Sequence, residues 1–158
     1  MGFAGLSVKG RALRYLSQRE HSRVELERKL ARHVQGTEEA SAQAQISAAL
    51  DELAVKGLLS EARAAESVLN GQGRRCGVRR LKQTLQGKGL APELVASTLQ
   101  QARGTELERA REVWRRRFGE PATDPAERAR QMRFLAGRGF EGDVIRRVVS
   151  GAAEEYEA

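Results

Sequence analysis

The stretch Leu85-Gln-Gly-Lys-Gly-Leu90 returns fifty residues later as Leu135-Ala-Gly-Arg-Gly-Phe140. In both, an apolar residue closes a helical run, and Gly, a base, Gly and an apolar residue follow. Five positions further on, a second helical run reaches Val95 or Ile145. A helix followed by Gly-base-Gly-apolar is ended by a glycine cap and its hydrophobic contact. The chain therefore uses one helix–turn–helix unit at least twice, and such repetition governs how the rest of the sequence is read.

Around these turns the apolar spacing predicts nine helices in three groups of three. Residues 1–7 show little periodicity and are expected to fray. In the first repeat, 8–59, a helix from Val8 to Arg19 carries the stripe Ala12, Leu13, Tyr15 and Leu16. Ser22 and Glu25 form a capping box that opens the second helix, which buries Val24, Leu26 and Leu30. Gly36 breaks the run. Thr37 is expected to cap a third helix with Ile46, Ala49, Leu50 and Leu53 inside, and Gly57 ends it with Leu58 and Leu59 folding back.

The second repeat, 60–104, opens at Ser60 with Ala64, Ala65, Val68 and Leu69. It pauses at Asn70-Gly-Gln-Gly73 and the basic connector Arg74-Arg75-Cys76-Gly77, then buries Val78, Leu81 and Leu85. Pro92 stands at the first helical position of its last helix, whose stripe is Leu94, Val95, Thr98 and Leu99. The third repeat, 105–151, is expected to open with a capping box from Thr105 to Glu108. Leu107, Ala110, Trp114 and Phe118 line its first helix, so Trp114 reads as a core anchor, and Arg115 and Arg116 point away. Asp124, Pro125 and Glu127 start the next helix, with Ala129, Met132 and Leu135 inside. Gln131 falls where Leu81 stood. Val144, Ile145, Val148 and Val149 line the last helix, and an acidic tail, 152–158, is expected to fray.

No segment alternates with a period of two. The expected fold is all-α: three tandem three-helix repeats, helix–turn–helix-like modules stacked into an elongated, curved body. Leu, Ile, Val and Phe supply only 34 of the 158 residues. Single modules that lean cannot bury their faces alone, so neighbours must stack.

The chemistry for catalysis is missing. No nucleophile stands at a strand-to-helix elbow, and no Gly-x-x-x-x-Gly-Lys-Ser/Thr loop is present. The Gly-x-Gly pairs follow helices, whereas a dinucleotide fingerprint follows a strand. His21 precedes a capping serine and reads as a helix-entry residue. The single cysteine, Cys76, excludes an internal disulfide; Arg74, Arg75, Arg79 and Arg80 around it could lower its pKa. No enzyme, cofactor or metal is implied. No apolar run approaches a membrane span of about 20 residues. The expectation is a cytoplasmic monomer. With 28 Lys+Arg, 23 of them Arg, against 21 Asp+Glu, the net charge of +7 points to an anionic partner.

Ala12-Leu-Arg-Tyr-Leu-Ser-Gln-Arg-Glu-His-Ser-Arg-Val-Glu-Leu-Glu-Arg-Lys-Leu30 resembles the opening signature of the RecX family, bacterial regulators of the recombinase RecA. Leu81-Lys-Gln-Thr-Leu-Gln-Gly-Lys-Gly-Leu90 resembles its middle signature, and Arg133-Phe-Leu-Ala-Gly-Arg-Gly-Phe140 its closing one. The likeness covers about residues 8–150. It departs at the alanine-rich first helix of the middle repeat and at Gln131. The resemblance implies three tandem three-helix repeats. It also implies binding of RecA and RecA–single-stranded-DNA filaments in the helical groove, limiting filament extension, ATP hydrolysis and strand exchange, without catalysis.

Clustering beside equivalent turns makes Arg74, Arg75, Arg79, Arg80, Lys82 and Lys88 the expected central contact with the filament or with DNA phosphates. Arg28, Lys29 and Arg32 flank it on one side, and Arg138, Arg146 and Arg147 on the other. Weak direct binding to single- or double-stranded DNA accompanies such charge. The alternative is a helix–turn–helix regulator of duplex DNA; against it, no single helix concentrates Arg with Asn or Gln in the way a base-reading helix does.

Overall fold

The computed structural model describes residues 5–157, with side chains through Ala152. Among the described residues the chain is helical throughout, with no strand. The helices are α1 (Val8–Gln18), α2 (Arg23–Ala31), α3 (Ala42–Val55), α4 (Glu61–Asn70), α5 (Val78–Gly87), α6 (Pro92–Arg103), α7 (Glu106–Arg117), α8 (Pro125–Gly137) and α9 (Gly142–Glu157). A 3-10 turn, Gln72–Arg75, sits between α4 and α5. The chain divides into two compact units. The first holds residues through Ser67 together with Gly87–Ala91, and the second holds Val68–Gln86 and the chain from Pro92 onward.

In the first unit, Ala12, Leu26, Leu30, Ile46, Leu50, Leu53 and Leu59 make one buried cluster, with Val8, Tyr15, Leu16 and Val34 at its edge. Leu13, expected in the α1 stripe, faces outward: Val8, Ala12, Tyr15 and Leu16 already fill the spacing that meets α3. Ser7 caps α1 through the Gly10 amide, 3.0 Å, so order begins before Val8; residues 1–4 of the segment expected to fray lie outside the described residues. The Ser22–Glu25 capping box is present in both halves. Thr37 does not cap α3. Ser41 does, accepting from the Ala44 amide, while Thr37 closes a turn with Ala40 four residues earlier. Gly57, at φ +74°, ends α3 as expected; Leu59 folds back into the core, but Leu58 remains exposed.

In the second unit, Ala110, Trp114, Leu135, Phe140, Val144, Ile145, Val148, Val149 and Ala152 form the core of α7, α8 and α9. Gln131 belongs to this interior and is fully used. The Trp114 indole N–H donates to its side-chain oxygen at 2.9 Å, and its amide donates to the Glu120 carbonyl at 3.1 Å. An Asp124 cap followed by Pro125 starts α8 as expected. The Thr105–Glu108 capping box is absent: Thr105 makes no side-chain cap, and its hydroxyl donates to the Ala102 carbonyl instead. Of the tail expected to fray, residues 152–157 continue α9 as helix to Glu157, and residue 158 lies outside the described residues.

The two Gly-base-Gly turns work alike. Gly89 and Gly139 have φ of +67° and +85°, which glycine adopts without strain. Each lies hard against the start of a second helix. A Cβ on Gly89 would stand 2.7 Å from the Val24 Cβ, and one on Gly139 would stand 2.6 Å from the Arg80 nitrogen. In the first unit the Ser22 hydroxyl donates to the Lys88 carbonyl at 2.6 Å. In the second, the Gly77 and Arg79 amides donate to the Arg138 and Gly139 carbonyls. A carboxylate completes each joint. Glu61, first in α4, accepts from the Arg23 amide at 2.7 Å. Glu106, first in α7 and buried, accepts from the Val78 and Glu141 amides at 3.3 and 3.0 Å. Helix N-termini leave amides unpaired and carry positive dipole ends, so a carboxylate there answers both.

Candidate functional site

In the second unit, arginines from three elements converge on one open groove of about 650 Å³. Arg74 and Arg75 come from the 3-10 turn, Arg116 and Arg117 from the last turn of α7, and Arg138 from the cap of α8. Glu112 is the single carboxylate on the rim, and it pairs with Arg116 at 2.9 Å. Val113 and Phe134, both half-buried edges of the core, form the floor. The Phe134 ring is already occupied. Arg117 and Arg138 lie 5.6 and 5.2 Å from its centre, and Phe118 meets it edge-on at 5.4 Å.

The 3-10 turn is held from beneath by Arg109. Its guanidinium donates to the carbonyls of Gly73, Cys76 and Ala102, and its Nε donates to the Thr105 hydroxyl. Burial lowers the Arg109 pKa, with Glu106 opposing that shift. Cys76 is buried as well. Burial raises its thiol pKa against the lowering effect of Arg109, Arg80 and Arg138, so the basic neighbourhood does not make a reactive thiolate.

The expected contact residues separate into two kinds. Arg74, Arg75 and Arg138 meet at the groove; Arg79 and Lys82 on α5 and Arg146 and Arg147 on α9 are exposed but do not line it. Arg80 donates to the Gly137 carbonyl at 2.9 Å and lies against Gly139. In the first unit, Arg32 is exposed at the end of α2, while three bases have partners within the fold. Arg28 donates to the Gly87 carbonyl at 2.9 Å. Lys88 pairs with Glu25 at 2.9 Å. Lys29 donates to His21 Nε2 at 2.8 Å and sits 4.7 Å over the Tyr15 ring.

His21 donates from Nδ1 to the Arg19 carbonyl and is completely buried; burial lowers its pKa and keeps it neutral. Burial would raise the Glu25 carboxyl, but bonds from Arg19, Lys88 and the Ser22 amide outweigh it and hold the pKa at about 2. This polar knot fixes the entry to α2 and the docked turn together, in line with the helix-entry role read for His21.

Arg116 and Arg117 are groove residues that spacing did not single out. Their register shows only that they leave the α7 core stripe; it does not show that the 3-10 turn arrives over that face. Among the described residues, no group of His, Cys, Asp and Glu is placed to hold a metal, and no helix is long and apolar enough to cross a membrane.

The fold is that of an all-helical protein built from tandem three-helix modules, and its second unit carries an open groove rich in arginine. Family profiles agree: RecX, first three-helix domain, matches residues 9–41, and RecX, third three-helix domain, matches 105–149. Regulatory protein RecX of Leptothrix cholodnii is 51% identical over 96% of this chain and 93% of its own length. The protein of that name from Ralstonia nicotianae is 45% identical, over 93% of this chain and 89% of its own. The crystal structure of RecX from Lactobacillus salivarius superposes with a TM-score of 0.70 at 21% identity, covering 92% of this chain and 94% of that one, and it shares the fold. The chain belongs to the RecX family of regulatory proteins.

Proposed function

We propose that this protein regulates the recombinase RecA, mainly as an inhibitor. In this reading it binds RecA–single-stranded-DNA filaments in their helical groove and limits extension, ATP hydrolysis and strand exchange. The observation that carries the reading is the near-full-length likeness to proteins named as RecX regulators. The exposed basic residues of both units support it, because a filament of protein and DNA offers carboxylates and phosphates. Binding one filament conformation better than another shifts its population, so the protein needs no chemistry of its own. It acts as a single chain in the cytoplasm, where the filament forms.

The test is single-stranded-DNA-dependent ATP hydrolysis by RecA near physiological salt, with a charge-matched basic protein as control. Hydrolysis falls at amounts well below one chain per RecA protomer, and the control has no effect. Equal inhibition by the control would show generic charge at work and refute the reading. Replacing exposed Arg75, Arg79 and Lys82 by Ala weakens inhibition without loss of helicity; unchanged inhibition would remove them from the site.

A further inference from the structure

We propose that the groove over Val113 and Phe134 is a docking site for an acidic peptide segment that carries an apolar anchor residue. This deepens the recombinase reading by naming the partner chemistry at one site, and its test omits the recombinase so that each can fail alone.

Charge comes first. Five guanidinium groups face one carboxylate, and that carboxylate is already paired with Arg116. Guanidinium forks match carboxylates in two-point hydrogen bonds. Arg74 and Arg75 have no side-chain hydrogen bond or ion pair among the described residues, so binding a partner there breaks no bond of the fold. The turn that carries them is held by Arg109 through the Gly73 and Cys76 carbonyls, so little order has to be gained on binding.

The floor decides between anions. Single-stranded nucleic acid binds by stacking bases on open aromatic faces beside a basic track. Here Arg117 and Arg138 already lie over the Phe134 ring at 5.6 and 5.2 Å from its centre, and Phe118 meets it in a T-shaped contact. A base stacking on Phe134 would compete with these arginines for the ring, and a phosphate backbone gains nothing from Val113. An acidic peptide uses both parts: its carboxylates meet the arginine rim, and one apolar side chain covers the half-buried edge of Val113 and Phe134. A volume of about 650 Å³ admits several side chains of such a segment.

The probes are three fluorescent ligands titrated against the full chain near physiological salt: a short glutamate-rich peptide with a central leucine, the same peptide with serine there, and oligo(dT). The leucine peptide binds at least about tenfold tighter than the serine peptide, which corresponds to burying one apolar side chain. R75E/R116E, at two exposed positions, weakens the leucine peptide at least about tenfold, and V113D weakens it as well. R103E/R133E, with the same change of charge at exposed positions that do not line the groove, leaves it unaltered. Circular dichroism verifies that each variant keeps its helix content. The proposal is overturned if the serine peptide binds equally well, if oligo(dT) binds more tightly and displaces the peptide, or if R75E/R116E folds and binds as wild type.

Discussion

Replacing Glu106 by alanine removes an acceptor shared by two helix starts. The carboxylate is buried, and a single oxygen takes the Val78 amide of α5 at 3.3 Å and the Glu141 amide before α9 at 3.0 Å. The Val78 amide is buried and is left without an acceptor once the side chain is gone, while the Glu141 amide is only partly buried. A hydrogen bond to a charged group contributes about 1.5–3 kcal/mol. The distances favour the lower end, so two bonds give a loss of about 3–4 kcal/mol. For a chain of this size that lowers the melting temperature by roughly 10 °C. Glu106→Gln keeps an oxygen in place and loses only the charge against two helix dipoles, about 1 kcal/mol. Urea unfolding followed by circular dichroism gives the totals. Amide exchange gives the location, since the chain divides into two units and local opening is measurable separately. Val78 and Glu141 exchange faster in E106A and nearly normally in E106Q. E106A within about 0.5 kcal/mol of wild type, or E106Q as damaging as E106A, would refute the shared-cap reasoning.

Three further outcomes follow from the same contacts. Gln131→Leu restores the apolar pattern yet leaves the Trp114 N–H unpaired, so it destabilises by about 1–3 kcal/mol; the fluorescence of Trp114, the single tryptophan, reports the change, and a stabilised Q131L would refute it. Gly139→Ala adds positive-φ strain of about 1–2 kcal/mol to a clash with the Arg80 backbone. Gly89→Ala clashes with a side chain, so Val24→Ala partly rescues it, whereas no side-chain change rescues G139A in thermal melts. Acid weakens the first unit in two steps. Folded His21 resists the proton that the unfolded imidazole takes near pH 6.5, so stability falls as pH drops through that value. Glu25, at about 2 against 4.5 unfolded, continues the loss below pH 4.5. Urea midpoints that do not differ between pH 7 and 5, or a His21→Gln variant with the same slope as wild type, would contradict this.

The helices were legible because their signals are local. Apolar residues at spacings of three and four, the Ser22–Glu25 box, Asp124-Pro125 and the glycine turns each act within one or two helical turns of themselves. Where two local signals competed, the nearer one won: Ser41 displaced Thr37 as the cap of α3 because it stands directly before the apolar run. The acidic tail read as frayed because its charge has no local pattern, yet the backbone continues the helix of Val144 to Val149.

Tertiary structure alone decided which polar groups are held by partners within the fold and which stay exposed. Arg28 and Lys88 look like Arg74 and Arg75 in the sequence, but the first pair is engaged by a carbonyl and a carboxylate that folding brings close. Glu61 and Glu106 stand in equivalent places after Ser60 and Thr105, a correspondence visible in the sequence, but their role needs the preceding repeat's helix start beside them. Arg116 and Arg117 enter the groove only because a turn some forty residues earlier in the chain docks over α7. Side-chain periodicity fixes the direction in which a residue leaves its own helix. The nearest charge or hydrogen-bond partner in that direction comes from distant chain, and electrostatics and desolvation act on that distance in space.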